Sequence, residues 1–189
     1  RDRHDTLHIE RAVSIQIIGC LQKDDLIHLI DSFPVCEPVS WTFVEKDQNV
    51  GYSESVGINH ELFSRDAFLE FNIDEDCVEF DTYLNKHYPV IAQQDVTVMF
   101  CSGSYAQLHS DSNSVLSRGQ LMFILSNESR HTFISIDDSG VTHELTPSAG
   151  DIVLMDIACR HALLPRNVNI NALDSLKPLK MAMVSMNNF

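Results

Sequence analysis

The sequence predicts a mainly β domain with helices near its amino terminus, arranged as a jelly roll or double-stranded β-helix. Three observations carry that expectation. After position 120, short apolar runs bounded by turn residues follow one another closely, in LMFILSN, HTFISIDD and VTHELTP, with turns at Asn127 to Arg130 and Asp138 to Gly140. Such a roll requires closely spaced strands of this kind. Ahead of them, stretches with helical spacing end at prolines, and behind them a Gly-Asp turn at Gly150 and Asp151 launches a further apolar strand. Composition agrees, since 189 residues, 44% hydrophobic and 21% charged, describe one globular domain with room for a full core. We expect that domain at 11–189, behind a flexible charged tail at 1–10.

Taken in order, Val13 to Leu21 reads as a first strand, because β-branched Val13, Ile15, Ile17 and Ile18 favour a sheet. QKDDLIHLIDSF then places Leu26, Ile27, Leu29, Ile30 and Phe33 at helical spacing, with Asp24 and Asp25 complementing the helix dipole and Pro34 as the stop. His28 falls on its polar face. From Pro38 to Asn59 the text suggests one or two short strands around Trp41, the only tryptophan, either filling the core or covering a site. A second helix is expected at SRDAFLEF, capped by Ser64, with Phe63, Ala67, Phe68 and Phe71 on one side. The acidic residues from Asp74 to Asp81 lack the order of a calcium loop and read as a solvated turn. Val78 to Tyr88 is a third helix, ended by Pro89, whose task is to brace the sheet.

The chemistry concentrates in DVTVMFCSGSYAQLHSD, Asp95 to Asp111, and in GDIVLMDIACRHALLP, Gly150 to Pro165. In the first, Tyr105, Gln107, His109 and Asp111 alternate along a strand and so share one face, where an ordinary core face would be apolar. In the second, an apolar strand from Ile152 to Met155 is followed by a short strand that carries His161. Two neutral imidazoles and one carboxylate on one face of an octahedral Fe(II) leave the opposite positions open for a chelating cosubstrate and dioxygen. The spacing alone is weak evidence. Nine histidines among 27 acids yield His-x-Asp/Glu roughly once by chance. A second copy, His8-x-Glu10, lies in the charged tail with no strand before it. Asp156 is placed either to hold the turn before His161 or to accept its ring N–H, since metal-bound histidines donate that proton. His131 and His143 have no metal-ligand spacing and read as structural.

With Tyr105, His109, Asp111, Gly150, Asp151, His161 and Pro165, and a closing strand from Lys180, the chain resembles the Fe(II)- and 2-oxoglutarate-dependent oxygenases. These are built on the double-stranded β-helix of the cupin-like folds, and the likeness is greatest to small prolyl-4-hydroxylase-type domains. The resemblance implies His109, Asp111 and His161 as metal ligands, Fe(II) and 2-oxoglutarate as cofactor and cosubstrate, dioxygen as oxidant, and hydroxylation of an unactivated C–H bond. Tyr105 and Lys180 would hold the cosubstrate, Lys180 at its distal carboxylate, with Arg166 the runner-up and Lys177 third. A buried dicarboxylate needs such a cation. The carboxylate of Asp111 separates the chain from halogenating relatives, which carry a small residue there. The substrate is a peptidyl side chain, an amino acid or a small metabolite. Two alternatives stay open: a cupin-type metalloenzyme without 2-oxoglutarate, and a non-catalytic jelly-roll binding module.

A net charge of −14, with only 13 Lys and Arg spread along the chain, excludes a nucleic-acid partner and disfavours anionic membranes. Ala12 to Leu21, the longest apolar stretch, is too short to span a bilayer. RDRHD has no signal-peptide pattern and, without an initiator Met, reads as a trimmed start. Five cysteines, an odd number without a Cys-x-x-Cys pair, are expected to be reduced and the compartment cytoplasmic.

Overall fold

A computed structural model of the protein describes residues 14–33, 42–43, 65–66, 68–72, 78–93, 96–103, 106–110, 119–165 and 177–186. The elements run β1 (Ile15–Cys20), α1 (Lys23–Ser32), β2 (Thr42–Phe43), β3 (Arg65–Asp66), β4 (Phe68–Asn72), α2 (Val78–His87), α3 (Pro89–Ala92) and β5 (Val96–Gly103). They continue with β6 (Ala106–His109), β7 (Gly119–Ser126), β8 (Thr132–Ile136), β9 (Thr142–Leu145), β10 (Asp151–Asp156), β11 (Arg160–Leu164) and β12 (Leu179–Met186).

Ten of these strands form two antiparallel sheets. The larger has the order β1-β10-β7-β12-β5-β4, the smaller β6-β11-β8-β9, and β2 pairs with β3 alone. From β5 to β12 the chain passes repeatedly from one sheet to the other, so strands distant in sequence become neighbours. The double-stranded β-helix winds in this way, and here its two sheets face each other without closing into a barrel.

The larger sheet is covered on both faces, which is why its strands read as unbroken apolar runs. Leu121, Phe123, Leu125, Ile152, Leu154, Ala182 and Val184 pack outward against Leu29 of α1, Phe80, Tyr83 and Leu84 of α2 and Ile91 of α3. Met122, Ile124, Val153, Met155, Cys101, Met181 and Met183 turn inward and meet Phe133 and Leu163 of the smaller sheet. Each strand thus alternates between a helix-packed face and a face between the sheets. Aromatic rings tie down the outer layer, with Phe123 within 5.3–5.9 Å of Phe80, Tyr83 and Tyr88 at steep edge-to-face angles.

The helices α1 and α2 fall where their spacing put them, although Ile27 and Ile30 of α1 stay about half exposed and only Leu29 is fully buried. Pro89 ends α2 as expected. It also opens the single turn of α3, where its missing N–H costs nothing. The expected helix at SRDAFLEF is wrong. Phe68–Asn72 is a strand paired with β5 from Phe68↔Gly103 to Asn72↔Met99. A short apolar run fits either period, and the open edge of β5 supplies ladder hydrogen bonds that outweigh the local helical preference. Trp41, Cys36, Cys77 and the tail at 1–10 lie outside the described residues. Of the other cysteines, Cys20 is exposed and Cys101 and Cys159 are buried. Among the described residues no helix is long and apolar enough to cross a membrane.

Candidate metal centre

One row of paired backbone positions crosses all four strands of the smaller sheet. His161 of β11 pairs with His109 of β6 on one side and with Ser135 of β8 on the other, and Ser135 pairs in turn with His143 of β9. Direct cross-strand partners share a face, with Cα atoms about 4.5–5.5 Å apart. The next row is apolar, Leu163 beside Phe133 beside Leu145. Leu163 and Phe133 belong to the core between the sheets, so His161, two residues from Leu163, faces that same interior. It is 6% exposed.

The local turn sets the imidazole of His161. The carboxylate of Asp156 accepts the N–H of Ala158, and the carbonyl of Asp156 accepts the N–H of Cys159, which closes the tight connection between β10 and β11. That turn aims the Cys159 carbonyl at His161, whose Nδ1 donates to it over 2.8 Å. With the proton held on Nδ1, Nε2 is the lone-pair nitrogen, the tautomer a metal ligand needs. Asp156 therefore shapes the turn, the first of its two expected roles, and the acceptor at Nδ1 is a backbone carbonyl that sequence reading did not single out.

Asp111, Tyr105 and Arg166 lie outside the described residues, and of His109 only the backbone position is described. Among the described residues no group of three His, Cys, Asp or Glu side chains could hold a metal. What the structure brings together is the pair of positions 109 and 161, side by side, with position 111 two residues beyond the first.

Lys180 is not brought to this row. It stands on the face of β12 shared with Ala182 and Val184, and its Nζ lies 5.2 Å from the centre of the Phe33 ring, a cation–π contact on the helix-packed side. Met181 and Met183 occupy the inward face instead. A register shift between Lys180 and Met181 against β7 accompanies this placement. Lys180 helps to line a cleft of about 580 Å³ with Phe33, Ser126, Arg130 and Thr146, outside the space between the sheets. Lys177 is at the surface, 2.8 Å from the carboxylate of Glu128, which raises its pKa. The expectation that Lys180 meets a carboxylate beside His161 is corrected by this geometry. Strand alternation sends it the other way.

Three other described histidines, His143, His131 and His28, have separate places. His143 stands 2.9 Å from Asp137 at the rim, and this hydrogen bond, with the N–H groups of Val141 and Ser139, holds the Asp137 carboxyl below its ordinary range. Together they fasten the β8–β9 hairpin. His131 is fully buried, its Nδ1 3.2 Å from the side-chain oxygen of Asn127, and burial pushes its pKa down to about 4. His28 is exposed on α1, as its polar-face position requires.

No protein-family model and no curated protein sequence matches the chain. Solved structures do. A prolyl-4-hydroxylase from Pseudomonas putida superposes with a TM-score of 0.56 at 12% identity, covering 94% of each chain. A 2OG-Fe(II) oxygenase family oxidoreductase from Burkholderia pseudomallei gives 0.60 at 10% identity over 94% of this chain and 86% of the other. AviO1 from Streptomyces viridochromogenes gives 0.52 at 13% over 93% and 90%. The fold is thus that of the double-stranded β-helix oxygenases. At these identities the likeness extends to architecture alone, and it agrees with the family resemblance of the sequence.

Proposed function

We propose that the protein is an Fe(II)- and 2-oxoglutarate-dependent dioxygenase that hydroxylates an unactivated C–H bond of a peptidyl side chain, an amino acid or a small metabolite. The observation that carries this reading is the His109–His161 pairing, with the tautomer of His161 set by the Cys159 carbonyl. His109, Asp111 and His161 would hold the iron, and neutral imidazoles with one carboxylate suit that ion while leaving one side open. Iron, when bound there, would supply dioxygen activation, with 2-oxoglutarate as the two-electron reductant. Tyr105 is proposed against the cosubstrate, and Arg166 replaces Lys180 as the proposed partner of its distal carboxylate, because Lys180 sits against Phe33.

The placement of Lys180 also favours a second reading. A cupin-type metalloenzyme would share the sheet pair and the histidines without needing that cation. Succinate release distinguishes them: with Fe(II), 2-oxoglutarate and dioxygen, the purified protein should form succinate slowly even without substrate, and His109→Ala should abolish it. Succinate formation that survives in His109→Ala, or none in wild type despite tight metal binding, would overturn the first reading.

A further inference from the structure

Lys180, turned away from the space between the sheets, helps to line a cleft that the function proposed above does not use. This cleft lies where the last turn of α1 meets the turns after β7 and β9, and its volume of about 580 Å³ falls within the roughly 300–1,000 Å³ of small-molecule sites. Ile30, Phe33, Leu125 and Pro147 give it apolar walls, and Lys180 and Arg130 bring two positive charges to them. Among the described residues neither cation is ion-paired. Glu128 is the one acid among the described lining residues, and Lys177 neutralises it at the rim.

Two irregularities of the backbone fall at this cleft. Opposite Lys180 the β7 strand carries a bulge: Lys180 pairs with Ser126 and Met181 with Ile124, which leaves Leu125 between them without a partner. A bulge bends its strand and re-aims side chains, and here Leu125 and Ser126 both line the cleft, where strict alternation would have sent one of them to the other face. Arg130 ends the turn that follows, at φ 55°, the one non-glycine among the described residues with a positive φ. Glycine holds that conformation without the clash that a Cβ brings, so an arginine kept there points to a use for its guanidinium.

We propose that this cleft binds a small organic anion, a carboxylate or phosphate on a compact apolar body, with the charged group between Lys180 and Arg130 and the body against Ile30, Leu125 and Pro147. A chain of net charge −14 repels anions at most of its surface, so two unpaired cations over apolar walls mark the place where one is held. The ring of Phe33 keeps the ammonium of Lys180 over it by the cation–π contact, which positions that charge before a ligand arrives. The site is on the helix-packed side of the larger sheet, separate from His109 and His161, and its occupancy does not depend on iron.

The test is an NMR titration of the metal-free full chain with 3-phenylpropionate, its uncharged amide, phenyl phosphate and inorganic phosphate. One or both aryl anions should shift the backbone amides of Ser126 to Arg130 and of Thr146 to Ala149, the tighter of the two identifying the head group. The amide and inorganic phosphate, each lacking half of the recognised chemistry, should bind about tenfold or more weakly. Lys180→Met keeps an apolar stem against Phe33 and Arg130→Gly relaxes its turn, so both should fold, Arg130→Gly with unchanged or raised thermal stability, and each should raise the dissociation constant about tenfold. No shift with either aryl anion, equal binding of the amide, or unchanged affinity in both variants would overturn the proposal. Displacement of the aryl anion by 2-oxoglutarate, or shifts centred on positions 109 and 161, would also overturn it, by making the anion's place part of the cosubstrate site.

Discussion

His131 makes the stability of this domain depend on pH in a calculable way. Its ring is fully buried, its pKa is depressed by desolvation from 6.5 to about 4, and Nε2 has no partner. In the unfolded chain the same ring takes up a proton near 6.5, so between those values the unfolded state binds more protons and stability rises with pH. The contribution is fully present above the unfolded pKa and is lost as pH falls toward the folded one. Integrated across the window it amounts to about 3 kcal/mol, most of which disappears between about pH 7 and about pH 4.5. Urea unfolding of wild type and His131→Asn at those two pH values measures it, because Asn keeps a donor toward Asn127 but does not titrate. The variant should be less stable near neutrality, through lost packing, yet lose markedly less on acidification, by roughly 2–3 kcal/mol. Equal losses in the two proteins would refute the claim that the ring is buried neutral.

Three further outcomes follow from particular contacts. Lys180→Ala should leave 2-oxoglutarate affinity unchanged and lower stability by about 0.5–1 kcal/mol through its contact with Phe33, whereas Arg166→Ala should weaken cosubstrate binding; titration and thermal unfolding separate the two. Phe123→Ala, which empties the centre of the aromatic cluster, should cost about 3–5 kcal/mol in denaturant unfolding without altering the residues proposed to bind metal. Asp111→Ala should weaken Fe(II) binding and abolish succinate formation, because two imidazoles alone hold the ion poorly.

The strands of the larger sheet were legible because burial on both faces writes itself as continuous apolar runs such as LMFIL and IVLM. The helices showed through their 3.6-residue spacing and proline stops. SRDAFLEF misled because a five-residue strand at a sheet edge is specified by its neighbour β5, a partner that no local window contains. Lys180 misled for a related reason. Its place at the head of the closing strand was evident, but the face it takes depends on register, and a shift of one residue reverses every side chain. The Cys159 carbonyl left no trace in sequence, since every residue has one.

The central claim is that His109 and His161 serve one iron that also binds 2-oxoglutarate. Anaerobic titration of the purified protein with Fe(II) and then 2-oxoglutarate tests it most directly. The account predicts a visible charge-transfer band that needs both components and is absent in His161→Ala. Fe(II) binding without the band, or a band that persists in His161→Ala, would contradict it.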